Sequence, residues 1–369
     1  MSGPEFVLGD VVRVLEPDAT ANPDHDPGLS PERCVALYQR MVLTRTLDER
    51  LVALQRQGRI GFHIGSMGEE ATVIGTAAAL DETDWLFPCY REFGALLLRG
   101  MPLQRYIDNM YGNGDDPVKG RQMPDHYSGK PYRFGSVSSP IGTQITQAVG
   151  FAWAAKLRGE KLAAIVYFGE GATSSNEFHC GANFAGVYKT PTVLICRNNG
   201  WAISVPAEQQ SATETFAQKA FAYGLHPIRV DGNDLLAVYK ATRDALALCR
   251  AGTPVLLECL TYRLSGHSTS DDPSRYRAQD EMAAERTKDP LPRFRAYLEK
   301  KGLWSEEQQQ ALVAAYDAEI KAAIERAEKA APPTLDTMFD DVFAERPWHL
   351  REQYEACLAS PRPAGHGGH

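Results

Sequence analysis

The sequence predicts an α/β fold, a doubly wound and mainly parallel sheet with flanking helices, followed by a helical C-terminal extension. Three observations carry this. Ala163-Ala164-Ile165-Val166-Tyr167-Phe168 and Thr192-Val193-Leu194-Ile195-Cys196 are short unbroken apolar runs, the pattern of strands buried on both faces. Between them, residues 176–187 suit a helix with Phe178, Ala182 and Ala185 on one side, so the segment reads as a βαβ unit. Further on, residues 228–230 and 255–260 read as strands around a helix over 235–250, the alternation a parallel sheet requires.

The remaining elements follow in order. Residues 1–30 are acidic, carry Pro17, Pro23 and Pro27, and read as an extended N-terminal arm. Ser30-Pro31-Glu32 is a helix start, with Ser30 as the cap and Pro31 at the first helical position; residues 37–57 continue it. The α/β domain is expected over 31–300. Within it, 112–138 carries Gly112, Gly114, Pro117, Gly120, Pro124, Gly129 and Pro131 and no regular pattern; so long a loop in a compact chain is functional or disordered. Leu312, Tyr316, Ile320 and Ile324 recur every fourth residue, giving an amphipathic helix in an extension over 301–345. Pro332-Pro333 stops that helix. Residues 346–369, ending Gly365-His366-Gly367-Gly368-His369, are expected as a partly flexible tail.

Composition excludes several classes. The 369 residues hold 39 Lys+Arg against 47 Asp+Glu, a net charge of −8. An acidic chain is a poor general binder of nucleic acid, whose phosphates need clustered positive charge. No apolar run approaches the roughly 18–20 residues that cross a bilayer. The seven cysteines form no CxxC pair and no zinc spacing, and read as reduced and mostly buried. The first thirty residues hold six acids against Arg13 as the only Lys or Arg, unlike an Arg-rich transit peptide; the expectation is a cytoplasmic protein.

Ligands of doubly wound sheets sit at the carboxyl ends of the strands. Gly169-Glu170-Gly171, Asn198-Asn199 and Arg263-Leu264-Ser265-Gly266-His267 each fall just after an expected strand. The first lacks the third glycine of GxGxxG, since Ala172, Thr173 and Ser174 follow, which disfavours a nicotinamide-dependent dehydrogenase. It does present a carboxylate between two glycines. A carboxylate and an amide oxygen are hard ligands that suit Mg²⁺, which completes its shell with phosphate oxygens and water.

Gly169-Glu170-Gly171 followed, after residues 172–197, by Asn198-Asn199 resembles the thiamine diphosphate fingerprint. The segments Phe87-Pro88-Cys89-Tyr90-Arg91-Glu92, Lys119-Gly120-Arg121-Gln122-Met123-Pro124, Ser138-Ser139-Pro140 and Gly266-His267-Ser268-Thr269-Ser270-Asp271-Asp272 resemble the alpha subunits of 2-oxo acid dehydrogenases. The likeness spans roughly residues 30–345. Arg197-Asn198-Asn199-Gly200-Trp201-Ala202-Ile203-Ser204 and Ser268–Asp272 are more similar to the branched-chain (2-oxoisovalerate) type than to the pyruvate type.

The resemblance implies the thiamine diphosphate-binding fold and a set of roles. Glu170, the Asn199 side chain and the Trp201 carbonyl would hold Mg²⁺, with Glu170 standing where Asp is commoner. Arg91, Arg197 and His267 match diphosphate contacts, for which forked guanidiniums suit the oxygens. Tyr90, Gly169, Gly171 and Ala172 would complete the cofactor site; Ser139 and Ile141 would meet the aminopyrimidine ring. Ser138, Pro140, Thr143 and Gln144 resemble a potassium site. Phe62, Tyr90, Ile141 and Ser268 match the substrate pocket, and His267 and Ser268 the catalytic positions. His267 is expected to titrate near working pH. Cys89 stands where Gln is expected. Ser268 also matches the phosphorylatable serine of mitochondrial members.

The implied activity is thiamine diphosphate- and Mg²⁺-dependent oxidative decarboxylation of a branched 2-oxo acid, with reductive acylation of a lipoyl group on an acyltransferase component. Proton loss from the cofactor in this family needs a glutamate that two-chain members take from the beta subunit. The chain is therefore expected to be half a site, completed in a tetramer of two alpha and two beta chains, with residues 147–155 as one candidate contact. Alpha subunits of pyruvate or acetoin dehydrogenases, and a non-catalytic binding subunit, are the alternatives. Arg263, Asp271, Tyr276 and Arg277 are expected to pin the His267 loop over the cofactor.

Overall fold

The structure, a computed structural model, describes residues 8–360 and centres on a five-stranded parallel sheet in the order β1-β2-β3-β7-β6. These strands are β1 (Trp85–Phe87), β2 (Ala164–Gly169), β3 (Thr192–Asn198), β6 (His226–Asp231) and β7 (Val255–Leu260); β4 (Trp201–Ala202) and β5 (Val205–Pro206) pair as a separate antiparallel hairpin. Ala164 lies in register with Thr192, and Val193 with Val255.

Alternate residues of each strand face opposite layers, as a period of two dictates. Ile165, Tyr167, Val193, Ile195, Val255 and Leu257 join one core. Ala164, Val166, Phe168, Leu194, Cys196 and Leu256 join the other. The first is filled by α1 (Pro31–Arg56), α2 (Glu70–Ala78), α3 (Phe93–Leu98), α4 (Leu103–Tyr111), α8 (Leu235–Arg250), α10 (Pro290–Lys300) and α11 (Glu306–Lys329). The second is covered by α5 (Thr143–Leu157), α6 (Asn176–Tyr188) and α7 (Ala220–Tyr223). The expected doubly wound α/β architecture is present, and the βαβ unit is β2-α6-β3.

Local chemistry sets the element ends. Ser30 Oγ accepts from the Arg33 N–H at 3.2 Å with Pro31 in the first turn. Asp234 caps α8 through Oδ1 on the Ala237 N–H (3.1 Å), while its Oδ2 accepts from Val14 and Leu15 at 2.8 and 2.6 Å. One buried carboxylate thus starts a helix and ties the N-terminal arm to the sheet edge, where Val12 bridges Val230.

Between residues 112 and 138 the only helical turn is Lys130–Tyr132. The amphipathic helix is α11, which buries Ile320, Ala323, Ile324 and Ala327 in the same core as α1 and α4. The first half of the expected tail holds a helix, α12 (Trp348–Ala359), with Arg346 over the Tyr354 ring at 4.1 Å. The Gly- and His-rich end lies outside the described residues. Five cysteines are buried, whereas Cys180 and Cys357 are exposed. Among the described residues no helix is long and apolar enough to cross a membrane.

Candidate active site

The carboxyl ends of β1, β2, β3 and β7 open onto a cavity of about 410 Å³. Tyr90 and Arg91 enter it after β1, Gly169 to Ala172 after β2, Arg197 and Asn199 at the end of β3, and His267 after β7. Phe62, Ile64, Ser139, Ile141 and the hairpin residues Trp201 to Ile203 close its sides. The parallel register places these separate segments at one edge. Gly171 is needed there for space, because a Cβ would stand 2.6 Å from that of Ala202.

Glu170 is 1% exposed. Its carboxylate accepts from the Gln210 amide at 3.2 Å and from the Asn199 backbone N–H at 3.4 Å. No charged donor pairs with it among the described residues, and burial raises its pKa above the ordinary glutamate value. The Asn199 side-chain oxygen accepts from the Trp201 N–H at 3.2 Å, and the Trp201 carbonyl accepts from Arg263 at 3.2 Å. Glu170, Asn199 and Trp201 therefore line one cavity, beside a buried carboxylate that no Lys or Arg pairs with among the described residues.

The guanidiniums are committed in different ways. Arg197 bonds Glu69 through Nη1, and its Nε lies 2.9 Å from Glu92. Arg91 donates to the Gly65 carbonyl and, at 2.9 Å, to that of His267; Glu69 is 3.7 Å away. Arg263 donates to Trp201, to Ile203 (2.7 Å) and to the Tyr276 hydroxyl (2.8 Å), none of them charged. Glu69 also accepts from the Asn199 amide at 2.8 Å.

His267 departs from the expected titration. Burial first, then the charges of Arg91 and Arg263, push its pKa down to about 3. Arg91 Nη2 stands 3.2 Å from His267 Nδ1. A guanidinium can only donate, so Nδ1 is the acceptor and the ring proton sits on Nε2. The loop carrying it is held as expected: the His267 N–H donates to Asp271 at 2.6 Å, Tyr276 donates to the same oxygen at 2.5 Å, and Arg277 reaches the carbonyls of Arg263 and Ser265.

Not every expected residue meets the cavity. Ser268 is not among its lining residues; its Oγ accepts from the Ser270 N–H at 3.3 Å within the loop. Thr143 donates to the Pro140 carbonyl at 3.0 Å, and the Gln144 amide to that of Tyr167 at 2.8 Å. Cys89 lines the cavity with its thiol pushed up to about 12 by burial and Glu92.

Several residues of the site had no mark in the sequence. Glu69 and Gln210 are ordinary surface types, and Glu92 had no role of its own within the Phe87–Glu92 segment, until the fold buries the two carboxylates. His126 lines the cavity with Nε2 2.5 Å from Ser139 Oγ and Nδ1 3.1 Å from the Pro124 carbonyl. A carbonyl can only accept, so Nδ1 donates to it, and the serine hydroxyl meets Nε2. The one available signal was its place in the irregular 112–138 segment.

A model of the family described as the dehydrogenase E1 component matches residues 38–336. The chain is 45% identical over 337 residues to a protein of Mus musculus and to one of Homo sapiens, in each case 91% of this chain and 76% of the relative. A Caenorhabditis elegans protein is 43% identical over 330 residues, 89% of this chain and 77% of its own length. All three are named 2-oxoisovalerate dehydrogenase subunit alpha, mitochondrial. The expectation of a cytoplasmic protein is overturned by these relatives, which are mitochondrial.

Proposed function

This chain belongs to the dehydrogenase E1 component family, and from that premise we propose that it is the alpha subunit of a branched-chain 2-oxo acid dehydrogenase. It oxidatively decarboxylates a branched 2-oxo acid with thiamine diphosphate and works with a beta subunit. The finer assignments are two alpha and two beta chains, with a lipoyl-bearing acyltransferase as acyl acceptor.

One observation carries the cofactor reading: Glu170 is a buried carboxylate without a cation, set at a cavity that Arg91 and Arg197 also line. Burying an anion unpaired is costly, and a hard dication with its diphosphate relieves that cost. Glu170, the Asn199 side-chain oxygen and the Trp201 carbonyl would hold Mg²⁺. Arg91 and His267 would face the diphosphate, and Arg197 would do so while neutralised by Glu69 and Glu92. Ser138, Pro140, Thr143 and Gln144 would hold K⁺.

Bound thiamine diphosphate supplies the electron sink for loss of CO₂. The chain's own groups orient and shield. Phe62, Ile64 and Ile141 present an apolar wall to a branched side chain. Neutral His267 offers its Nε2 proton to a developing oxyanion, a hydrogen bond with no prior titration step.

Co-expression with candidate beta chains, then decarboxylation assays on 3-methyl-2-oxobutanoate and pyruvate with and without thiamine diphosphate and Mg²⁺, tests the proposal. Activity that needs neither cofactor nor metal sinks it; a preference for pyruvate overturns the substrate assignment alone.

A further inference from the structure

We infer that His63 is a positioning residue for the substrate wall: its ring, clamped between the buried carboxylates of Asp48 and Asp125, fixes residues 62–65 and ties them to the His267 loop. The inference rests on the reading above that this cavity takes the 2-oxo acid.

His63 is fully buried and is not among the cavity-lining residues, while its neighbours Phe62 and Ile64 both are. Its Nε2 lies 3.0 Å from Asp48 Oδ1 and its Nδ1 3.0 Å from Asp125 Oδ2. A neutral imidazole has one N–H and would turn a lone pair toward one carboxylate; only the protonated ring donates to both. Burial alone would depress its pKa, yet Asp125 and Asp48 outweigh burial and push it up to about 10. The clamp spans three distant segments, since Asp48 lies within α1 and Asp125 in the irregular segment 112–138.

The two carboxylates also grip the backbone on either side of the ring. Asp48 Oδ2 accepts from the Ser66 N–H at 2.7 Å, and Asp125 Oδ2 from the Ile64 N–H at 2.7 Å. Asp125 Oδ1 takes the Tyr106 hydroxyl at 2.7 Å. Gly65 makes this approach feasible, because a Cβ there would stand 2.2 Å from Asp48 Oδ1. The Gly65 carbonyl in turn accepts from Arg91. His63 itself pairs in both directions with Thr269, donating its N–H to Oγ1 at 3.1 Å and accepting the Thr269 N–H on its carbonyl at 3.0 Å. Phe62, Ile64, Arg91 and the His267 loop therefore share one anchor, and a shift of that anchor moves the wall that reads the side chain.

The test uses the assembled alpha–beta enzyme carrying His63→Gln, and separately Thr269→Val. For His63→Gln the expected result is a rise of about tenfold in KM for 3-methyl-2-oxobutanoate, the size of a misplaced methylene contact. The preference for that acid over pyruvate falls by a similar factor, while kcat stays within about threefold of the parent. Thr269→Val, at a partly exposed loop position, is expected to raise KM in the same direction by about threefold. An unchanged KM and preference in His63→Gln overturns the inference, even if its Tm falls. Should His63→Gln not assemble, an unchanged KM in Thr269→Val overturns it. Parent enzyme inactive on branched 2-oxo acids instead breaks the functional reading beneath.

Discussion

Glu69 bonds Arg197 with one carboxylate oxygen and, at 2.8 Å, the Asn199 amide with the other. All three residues are at most 5% exposed. A single carboxylate thus compensates the guanidinium proposed for the diphosphate and orients the amide proposed for the metal.

Removing that carboxylate leaves buried Arg197 with Glu92, 2.9 Å from its Nε, as its remaining anion. Glu69→Gln is expected to destabilise the chain by about 3–5 kcal/mol, the usual cost of deleting one member of a buried pair. Chemical denaturation reads it directly. A loss below about 1 kcal/mol would show that Glu92 alone satisfies Arg197.

Glu170 behaves in the opposite sense. Its raised pKa means the ionised form is destabilising in the metal-free chain above the ordinary glutamate range. Glu170→Gln should therefore stabilise the metal-free chain by roughly 1–2 kcal/mol at pH 8, as other relieved functional sites do. It should also weaken Mg²⁺-dependent thiamine diphosphate binding by about 100-fold or more. Thermal scans with and without metal check the first, calorimetry the second. A variant less stable than the parent without metal would refute the account of Glu170.

The two histidines flanking the site give opposite pH signatures. His63 has a folded pKa of about 10, raised above the ordinary 6.5. Its contribution is complete below about pH 6.5 and is lost as pH rises toward 10. His267 has a folded pKa of about 3, so the unfolded chain binds the extra proton and stability falls as pH drops from about 6.5 toward 3. Denaturation midpoints across pH 4–10 should flatten on the alkaline side in His63→Gln and on the acid side in His267→Gln. Activity should also show no His267 limb between pH 5 and 8.

Ile320, fully buried on α11, packs into the core shared with α1 and α4. Ile320→Ala should cost about 2–5 kcal/mol and shift one cooperative transition as a whole. A separate early transition for the C-terminal helices would show instead that the extension over 301–345 unfolds by itself.

The sequence alone determined what depends on neighbours along the chain. Unbroken apolar runs and the β2-α6-β3 spacing defined the sheet, and Ser30-Pro31 and Pro332-Pro333 bounded helices, because strand burial, capping and ring constraints act within a few residues. Glu170 and Asn199 were legible for the same reason: each follows directly on a strand end. The tertiary structure decided which charges meet. Glu69 and Arg197 are paired across 128 positions and His63 and Asp125 across 62, and nothing local marks such partners. It also decided protonation. Whether a histidine carries a proton depends on the carboxylates or guanidiniums packed against it, so His63 became a buried cation and His267 a neutral donor only once the chain had closed around them.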